Sequence, residues 1–435
     1  MTAAAALSEV EHRRHLRRAV LAATVGTAIE WYDFFLYSTV TGLVFAPLYF
    51  PNADPLVGTL NAFGIYAVGF VARPIGAAIF GHYGDRLGRK SALIATLLLM
   101  GIATFLVALV PSYARIGIWG AVILTVLRFV QGIGVGGEWG GSVLLAMEWV
   151  RSDRHRGYIA SWPQFGVPAG LFLANLAVLS FSALSGPQFL SWGWRVPFLL
   201  SGVLVAVGMY IRVGIVETPV FARLAAERRI ERAPVVEALR RQPREIALTA
   251  LCRMGEQAPF YIASAFVFAY GTGTLHMPRN FLLTAVLTAT VISFVMTPLS
   301  GHLSDRFGRK RIYMLGAAAT GAYGFVYFGL LDTRAPALVF LAIALSLIPH
   351  DLMYGPQAAL IAESFAGRVR YSGASLGYQL SSVFAGGPAP LVATWLFARY
   401  RSGWAIAAFI LFCAVVSLIS TALLPDYTGR AARED

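Results

Sequence analysis

The stretch GHYGDRLGRK at residues 81–90 returns in the second half of the chain as GHLSDRFGRK at residues 301–310. Each copy lies between two long apolar runs. A weaker repeat sets Glu148 and Arg156 of the first half against Glu363 and Arg370 of the second. Two copies of one unit in the same order indicate an internal duplication. In a membrane protein, this predicts two similar halves with a site between them.

The composition indicates a chain that crosses a membrane many times. Of its 435 residues, 57% are hydrophobic and only 13% are charged, about half the charged fraction of a soluble domain. Runs of roughly 20 apolar residues, each able to cross a hydrocarbon core about 30 Å thick, recur along the sequence. We predict an all-α membrane protein with twelve transmembrane helices in two six-helix halves. The spans lie near 19–46, 56–83, 91–110, 117–149, 158–183, 195–216, 245–270, 281–303, 311–331, 336–365, 371–397 and 402–424.

The distribution of Lys and Arg predicts the orientation. Most of them lie in the N-terminal segment, the interdomain loop, the tail and the even-numbered loops. The positive-inside rule therefore places both termini in the cytoplasm. We expect one or two surface helices in the interdomain loop, broken at Pro234 and Pro243. The predicted units are an N-terminal segment (1–18), a first half (19–216), the interdomain loop (217–244), a second half (245–424) and a tail (425–435).

The sequence disfavours several other classes of function. The net charge of +13 would suggest nucleic-acid binding in a soluble chain, but no stretch outside the apolar runs interleaves basic and aromatic residues. Cys252 and Cys413 lie inside apolar runs, so we expect small core residues without a disulfide or metal role. The Gly-rich run at 128–141 follows no strand, so we interpret it as close helix packing. We find no nucleophile–base pair, metal cluster or cofactor loop, and we predict neither an enzyme nor a cofactor.

Charges inside the spans are the first candidates for a site, because each requires a partner or an aqueous cavity at membrane depth. At a rise of about 1.5 Å per residue, Asp33, Arg73 and Arg128 share the middle layer. A carboxylate near a guanidinium suits proton coupling, since protonation neutralises the acid and frees the arginine. We therefore predict Asp33, Arg128 and Glu30 for proton coupling. The competing interpretation is that Asp33 and Arg128 form a purely structural ion pair.

A guanidinium that is not used by an acid can bind a carboxylate substrate through two parallel hydrogen bonds. His350 and Asp351 also fall near the middle of span 10. Aromatic and amide side chains in the spans are further candidates, although each alone is more often a packing residue. The predicted substrate-binding residues are Arg73, Arg128, Arg253, Glu256, Gln257, Trp31, Tyr37, Tyr354, Tyr378 and Gln379.

The duplicated loops predict a gate on the cytoplasmic side. Glu148 and Glu363 lie at the cytoplasmic ends of spans 4 and 10, and we expect them to pair with Arg86 or Arg306. Such clusters would hold the halves together and break when that side opens. The predicted gating residues are Asp85, Arg86, Arg89, Glu148, Asp305, Arg306, Arg309 and Glu363.

These motifs resemble those of a known group of membrane proteins. The loop motif, present twice, is similar to the signature of the major facilitator superfamily. More narrowly, EWYDFFLY at 30–37, RPIG at 73–76 and the Gly-rich run at 128–141 resemble the metabolite:H⁺ symporter family. The start of span 11 at 370–379 is similar to that family as well, so the resemblance covers the whole chain.

The resemblance implies two helical bundles that rock about a central site, with inward symport of protons. It places Asp33 and Arg128 where related transporters have a proton-coupling pair, and Arg73 where a carboxylate ligand is expected. Members of the family carry dicarboxylates, keto acids, shikimate-like acids or zwitterionic osmolytes. Two departures are visible: osmolyte-sensing members have a long C-terminal coiled coil, whereas this chain ends soon after Leu424, and Ser38 stands where many members have Gly.

We therefore expect a proton-driven symporter that imports a small organic acid across a bacterial inner membrane, as a monomer, with H⁺ as the coupling ion. The alternative within this class is an osmolyte carrier, in which Trp31 and Tyr32 would hold the cationic end. A proton-driven exporter would need a more apolar cavity with fewer arginines. A non-transporting sensor would bring a soluble signalling domain.

Overall fold

Helices make up nearly all of the structure, a computed structural model. The residues that it describes contain helices, turns and bends but no β-strand, which confirms the predicted all-α class. The terminal segments 1–8 and 429–435, and most of the first part of the predicted loop at 217–244, lie outside the described residues. The described residues are 9–150, 155–214, 216–218, 221–222, 226 and 234–428.

The helical spans follow the predicted order, and we number them α1 to α12. In the described part of the chain, 11 helices are long and apolar enough to cross a membrane. The remaining span, α7, consists of shorter helical pieces within residues 243–273. The other spans are α1 (Glu9–Val40), α2 (Pro55–Leu87), α3 (Arg89–Val107), α4 (Trp119–Met147), α5 (Arg156–Ser185), α6 (Arg195–Val213), α8 (Arg279–Phe307), α9 (Arg309–Asp332), α10 (Pro336–Glu363), α11 (Arg370–Tyr400) and α12 (Gly403–Leu423).

Span α7 is interrupted where the sequence predicts a continuous helix. Arg253 separates its first two pieces. Pro259, which has no N–H to donate, lies inside the second piece. A π-helical turn follows at Ile262–Phe266, and α1 leads into a π-helical turn at Thr41–Phe45. The two turns lie at equivalent places in the duplicated halves, and π-helical turns often occur at functional sites.

The duplicated sequence forms the same turn twice. Helices α2 and α8 each end just before a glycine with positive φ, 106° at Gly88 and 98° at Gly308, a conformation that other residues rarely adopt. Lys90 then donates from Nζ to a carbonyl oxygen at the end of α6, 2.7 Å away. Lys310 donates to a carbonyl oxygen near the end of α12, 2.8 Å away. Both turns therefore lie at one end of the molecule, which we call the motif end.

The linker helix Pro234–Arg241 precedes α7. Gln242 separates this helix from the first piece of α7, which begins at Pro243, so the predicted break at Pro243 is present. The residues just before Pro234 lie outside the described part of the chain, so the break predicted there stays a prediction. Proline is well suited to the first position of a helix, because the N–H that it lacks would have no partner there.

The halves meet mainly where α2 packs on α11 and α5 packs on α8. Inside the first half, the Gly-rich segment brings α4 against α2. A methyl group on Gly132 would overlap the carbonyl oxygen of Gly69, and one on Gly136 would overlap that of Arg73. Backbone contact of this kind requires glycine. It fixes the distance between the helix that carries Arg73 and the helix that carries Arg128.

Candidate functional site

Two arginines of the first half meet at the centre of the molecule. Arg73 extends from α2 and Arg128 from α4, and both side chains are fully buried. Their guanidinium carbons lie 4.3 and 4.2 Å from the centre of the Phe34 ring of α1. Arg73 also faces the rings of Phe70 at 4.2 Å and Trp31 at 5.3 Å. The two cations therefore share one aromatic wall, which attracts them through its π electrons.

Neither of these guanidiniums forms an ion pair with any carboxylate of the described chain. Arg73 donates from Nη1 to Ser382 Oγ of α11 at 3.4 Å, whereas its Nε and Nη2 have no hydrogen-bond partner among the described residues. Arg128 donates to Gln131 at 3.3 Å, and its Nη2 has none within the same set. Buried donors without partners are rare. This donor set suits an anion with several oxygen atoms.

Polar groups of both halves surround the arginines. Tyr37 and Tyr66 lie under Arg128, with ring centres 4.5 and 4.6 Å from its guanidinium carbon. The Tyr37 hydroxyl and the Gln257 side-chain oxygen are buried and have no hydrogen-bond partner among the residues described. The centre therefore offers positive charge together with neutral groups that can bind a hydroxyl or carbonyl oxygen.

Asp33 lies near these arginines without touching them. Its Oδ1 accepts a hydrogen bond from Ser201 Oγ of α6, and Thr104 of α3 is a second hydroxyl contact. In the described chain, Asp33 forms no ion pair with Arg128, so the direct pair considered from the sequence is not present. The reason is the rotation of α1, because Phe34 is the residue that faces Arg128.

A row of buried polar side chains extends from Arg128 towards Asp33. Arg128 donates to Gln131 Oε1 at 3.3 Å, and Gln131 donates from Nε2 to Thr104 Oγ1 at 2.8 Å. The Thr104 hydroxyl donates to the carbonyl oxygen of Met100 at 2.9 Å and lies on the side of Asp33. All four side chains are buried, where electrostatic interactions are stronger than in water. Two neutral polar side chains, Gln131 and Thr104, therefore lie between Arg128 and Asp33.

Glu30, one turn before Asp33, belongs to a separate cluster. Arg212 of α6 donates from Nη1 to Glu30 Oε1 at 2.7 Å, and its Nη2 lies 3.7 Å from Glu138 Oε1 of α4. Thr27 also donates to Glu138 at 2.7 Å. The cluster has two acids and a single base, all of them buried. The proposed role of Glu30 in proton coupling stays a prediction.

We expect Arg212→Gln to lower the free energy of unfolding by about 3–5 kcal/mol, the usual loss when a buried charge is left unpaired. Glu138→Gln should have little effect, because it removes the second acid and still accepts a hydrogen bond from Thr27. Thermal unfolding of the purified variants in one detergent measures both changes. A similar loss of unfolding free energy in the two variants would contradict the assignment of two acids and one base to this cluster.

In the second half, the predicted binding residues Arg253 and Glu256 hold each other. Arg253 Nη2 lies 3.1 Å from Glu256 Oε2, and Gln357 of α10 donates to the same oxygen at 3.1 Å. The guanidinium carbon of Arg253 also lies 3.2 Å from the centre of the Tyr378 ring. Arg253 therefore has an acidic partner, unlike Arg73 and Arg128. Its predicted contact with the substrate stays a prediction.

Ser382, in the π-helical turn of α11, joins the two halves at the site. Its Oγ accepts hydrogen bonds from Arg73 of the first half at 3.4 Å and from Gln257 of the second half at 2.9 Å. It donates in turn to Gln379 Oε1 at 3.3 Å. Two of the predicted amide residues, Gln257 and Gln379, therefore lie beside Arg73.

The predicted aromatic residues of the second half lie at the contact between the halves. The Tyr378 ring stacks on Trp139 of α4 with 3.7 Å between ring centres. The hydroxyls of Tyr354 and Tyr378 are 3.3 Å apart. Trp139 donates from Nε1 to Gln164 of α5 at 2.8 Å. These rings close the centre towards the motif end.

Two charge clusters occupy the motif end, one in each half. In the first, Arg89 lies 3.1 Å from Asp85 Oδ1 and 3.4 Å from Glu148 Oε1. In the second, Arg309 lies 3.6 Å from Asp305 and also pairs with Glu363.

The arginines in these clusters are not the expected ones. Arg86 and Arg306, predicted as partners of the two glutamates, are exposed. The backbone explains the correction. Arg86 and Arg306 lie in the last turns of α2 and α8, whereas Arg89 and Arg309 follow a glycine with positive φ that redirects the chain and are buried.

Each aspartate of the motif end also binds the other half. Asp85 accepts hydrogen bonds from Ser372 in the first turn of α11, at 3.1 Å from its N–H and 2.8 Å from its hydroxyl. Asp305 accepts from the N–H groups of Gly157 and Tyr158 in the first turn of α5, at 2.8 and 2.9 Å. A carboxylate at a helix N-terminus is stabilising. These caps hold the halves together at the motif end.

We expect Asp85→Asn to slow transport about tenfold with little change in KM, because a charged cap contributes roughly 1 kcal/mol or more to the closed motif end. Uptake rates over a range of substrate concentrations separate the two constants. Arg86→Gln, an exposed change in the same motif, is the matched control. A large rise in KM for Asp85→Asn would contradict a gating role.

Several residues of the site carry no signal in the sequence. Ser201 and Thr104 are single hydroxyl residues inside apolar spans, and Ser382 follows Ser381 in another span; all three are indistinguishable from packing residues in the sequence. Phe34 lies within the quoted motif of span 1, but its place between two arginines depends on the rotation of three helices. Depth along the span does not provide that information.

Comparison with known proteins places this architecture in a family. The model of the Major Facilitator Superfamily matches residues 24–387. The proton:xylose symporter XylE of Escherichia coli, in a structure with bound 6-bromo-6-deoxy-D-glucose, has a TM-score of 0.78 at 18% identity, with 97% of this chain and 98% of that chain covered. This similarity shows the fold.

Curated relatives narrow the assignment. The inner membrane metabolite transport protein YhjE of Escherichia coli K12 is 40% identical over 412 residues, 93% of each chain. The shikimate transporter of the same strain is 39% identical over 418 residues, 94% of each. The proline/betaine transporter of that strain is 31% identical over 425 residues, 95% of this chain and 84% of that protein.

The chain belongs to the major facilitator superfamily and, within it, to the metabolite:H⁺ symporter family. The predicted fold class of two six-helix halves is confirmed. The protein is a multi-pass membrane transporter of small molecules and not an enzyme.

Proposed function

We propose that this protein is a proton-coupled symporter that imports a small organic acid across a bacterial inner membrane. The observation that carries the proposal is the pair of buried arginines, Arg73 and Arg128, which form no ion pair with an acid of the described chain. A positive charge at membrane depth is unfavourable by several kcal/mol without a partner. A substrate carboxylate supplies that partner.

The geometry favours Arg73 as the main carboxylate ligand. Two of its donor atoms are without a partner in the described structure, and a planar guanidinium binds a carboxylate through two parallel hydrogen bonds. Its third donor reaches Ser382 of the other half at 3.4 Å. A bound acid would therefore link the halves, as a transporter with a central site requires.

The coupling proton binds Asp33. When Asp33 is ionised, it offsets the charge of Arg128 through Gln131 and Thr104. Protonation removes that offset, and Arg128 then attracts the substrate anion more strongly. Proton and anion therefore favour each other's binding, and this effect is reciprocal. No cofactor takes part, and the monomer is the transporting unit.

A zwitterionic osmolyte is the second candidate, because one relative is a proline/betaine transporter. Its cationic end would need a free aromatic surface. The rings of Trp31, Phe34 and Phe70 already face Arg73. A second cation there would meet the charge of the arginine, so the arrangement favours an acid. The same arginines argue against an exporter of large apolar molecules.

Uptake into proteoliposomes under an inward proton gradient tests the proposal. The panel contains 2-oxoglutarate, citrate, shikimate, benzoate, proline and betaine, with a proton ionophore as the control. Accumulation of one acid that the ionophore abolishes is the expected result. Accumulation of betaine or proline alone would show that the substrate is an osmolyte and not an organic acid. Acid uptake that follows a sodium gradient instead would overturn the proton as the coupling ion.

A further inference from the structure

His350 of α10 lies in a buried cluster of charged groups in the second half. Its Nδ1 is 2.9 Å from Asp351 Oδ1, and its Nε2 is 3.5 Å from Glu256 Oε1 of α7. The other oxygen of Glu256 lies 3.1 Å from Arg253. The four side chains are between 1% and 4% exposed. The imidazole therefore stands between two carboxylates, with both ring nitrogens directed at an acidic oxygen.

With both acids ionised, the charges of this cluster balance only when His350 carries a proton. Glu256 and Asp351 contribute two negative charges, and Arg253 contributes one positive charge. The other helices packed on this part of α10 bring only neutral polar groups to the cluster among the described residues. These groups are Ser293 and Thr297 of α8, Tyr313 of α9 and Tyr378 of α11, with Cys252 of α7 beside Tyr313.

Both ring nitrogens must donate if each is to satisfy an ionised carboxylate. A neutral imidazole has one N–H, so one of its nitrogens would face a carboxylate oxygen as an acceptor. The imidazolium has two N–H groups and serves both acids. Hydrogen-bond geometry and charge balance therefore both favour a protonated His350 between two ionised acids.

We propose that His350, held between Glu256 and Asp351, is a second proton-binding site, separate from Asp33 and located in the other half. The cluster adjoins the central site. Gln257, next to Glu256, shares Ser382 with Arg73. The proton at His350 therefore sets the charge of the wall that the second half presents to the substrate.

The contacts around the ring give this proton a structural consequence. The His350 ring lies between Phe260 of α7 and Tyr354 of α10, with ring centres 4.7 and 5.0 Å away. Phe260 in turn contacts Phe35 of α1 at 5.6 Å. Loss of the proton leaves two buried carboxylates against one guanidinium, an unfavourable arrangement inside the membrane. Deprotonation therefore destabilises the packing of α7 on α10.

Thermal unfolding of the purified protein in detergent, without substrate, tests this proposal independently of the transported molecule. The series comprises the wild type, His350→Gln, His350→Gln with Asp351→Asn, and the exposed control His302→Gln, each between about pH 5 and pH 8, where histidine changes its charge. We expect the unfolding temperature of the wild type to fall as the pH rises. His350→Gln should unfold several degrees lower at the acidic end, with a smaller dependence on pH.

The double variant makes the test decisive. It leaves one acid and one base, so we expect it to recover most of the unfolding temperature lost by His350→Gln and to stay less dependent on pH than the wild type. A His350→Gln protein with the stability and pH dependence of the wild type would overturn the proposal. A double variant no more stable than His350→Gln would overturn it as well, because a purely structural histidine gains nothing from loss of the acid.

Discussion

Arg73→Gln is expected to reduce substrate affinity about a hundredfold, and Arg73→Lys roughly tenfold. Hydrogen bonds to a charged group contribute about 1.5–3 kcal/mol, and a factor of ten corresponds to about 1.4 kcal/mol. Glutamine removes the positive charge and the planar guanidinium whose N–H groups donate to both carboxylate oxygens. Lysine keeps the charge but lacks the planar fork that binds both oxygens of a carboxylate.

Equilibrium binding of the transported acid to purified protein measures this effect directly. Arg306→Lys, an exposed change at the motif end, controls for the chemical difference between the two side chains. Arg128→Lys reports on the second cation beside Phe34. Unchanged affinity in both Arg73 variants would show that another arginine binds the substrate carboxylate. Arg128 would then be the first candidate.

Asp33→Asn is expected to abolish accumulation driven by a proton gradient while counterflow of substrate continues. Asparagine is neutral at every pH and resembles the protonated acid, so Arg128 stays free to bind the anion. The binding step is therefore retained, but position 33 no longer takes up the coupling proton. Accumulation should fall at least about tenfold, because a protonation step has been removed from the cycle.

Paired assays in one batch of proteoliposomes separate the two outcomes. Asp33→Glu keeps an acid at the position and should retain part of the accumulation, whereas Ser201→Ala removes only the hydrogen bond to Asp33. Accumulation at the wild-type level in Asp33→Asn would end the coupling role of this residue. Loss of counterflow as well would instead assign Asp33 to substrate binding.

The sequence predicts the elements of this fold and the depth of its charges, but only some of its partners. The duplicated motif gives the two halves, and the apolar runs give the spans. Asp33, Arg73 and Arg128 are identified because a charge inside an apolar run is unusual. Whether Asp33 meets Arg128 depends on the rotation of α1, where one residue changes the direction of a side chain by about 100°.

At the motif end, too, the sequence identifies the charged residues but not which of them pair. Arg86 and Arg89 stand three positions apart in one motif, and both are plausible partners for a nearby glutamate. The positive φ of Gly88 decides between them, because it ends α2 and turns the chain before Arg89. A glycine in a sequence signals that such a turn is allowed. It does not reveal which neighbouring side chain is turned inward.

The reciprocal caps of Asp85 on α11 and Asp305 on α5 have the form of a contact between two identical subunits. In a two-fold dimer, patch A of one subunit meets patch B of its partner while patch B meets patch A. Each half of this chain carries both patches, the aspartate and the helix start that receives it. The interface therefore resembles that of a homodimer whose two subunits have been fused into one chain. Its two equivalent aspartate caps must both break when the halves separate at the motif end.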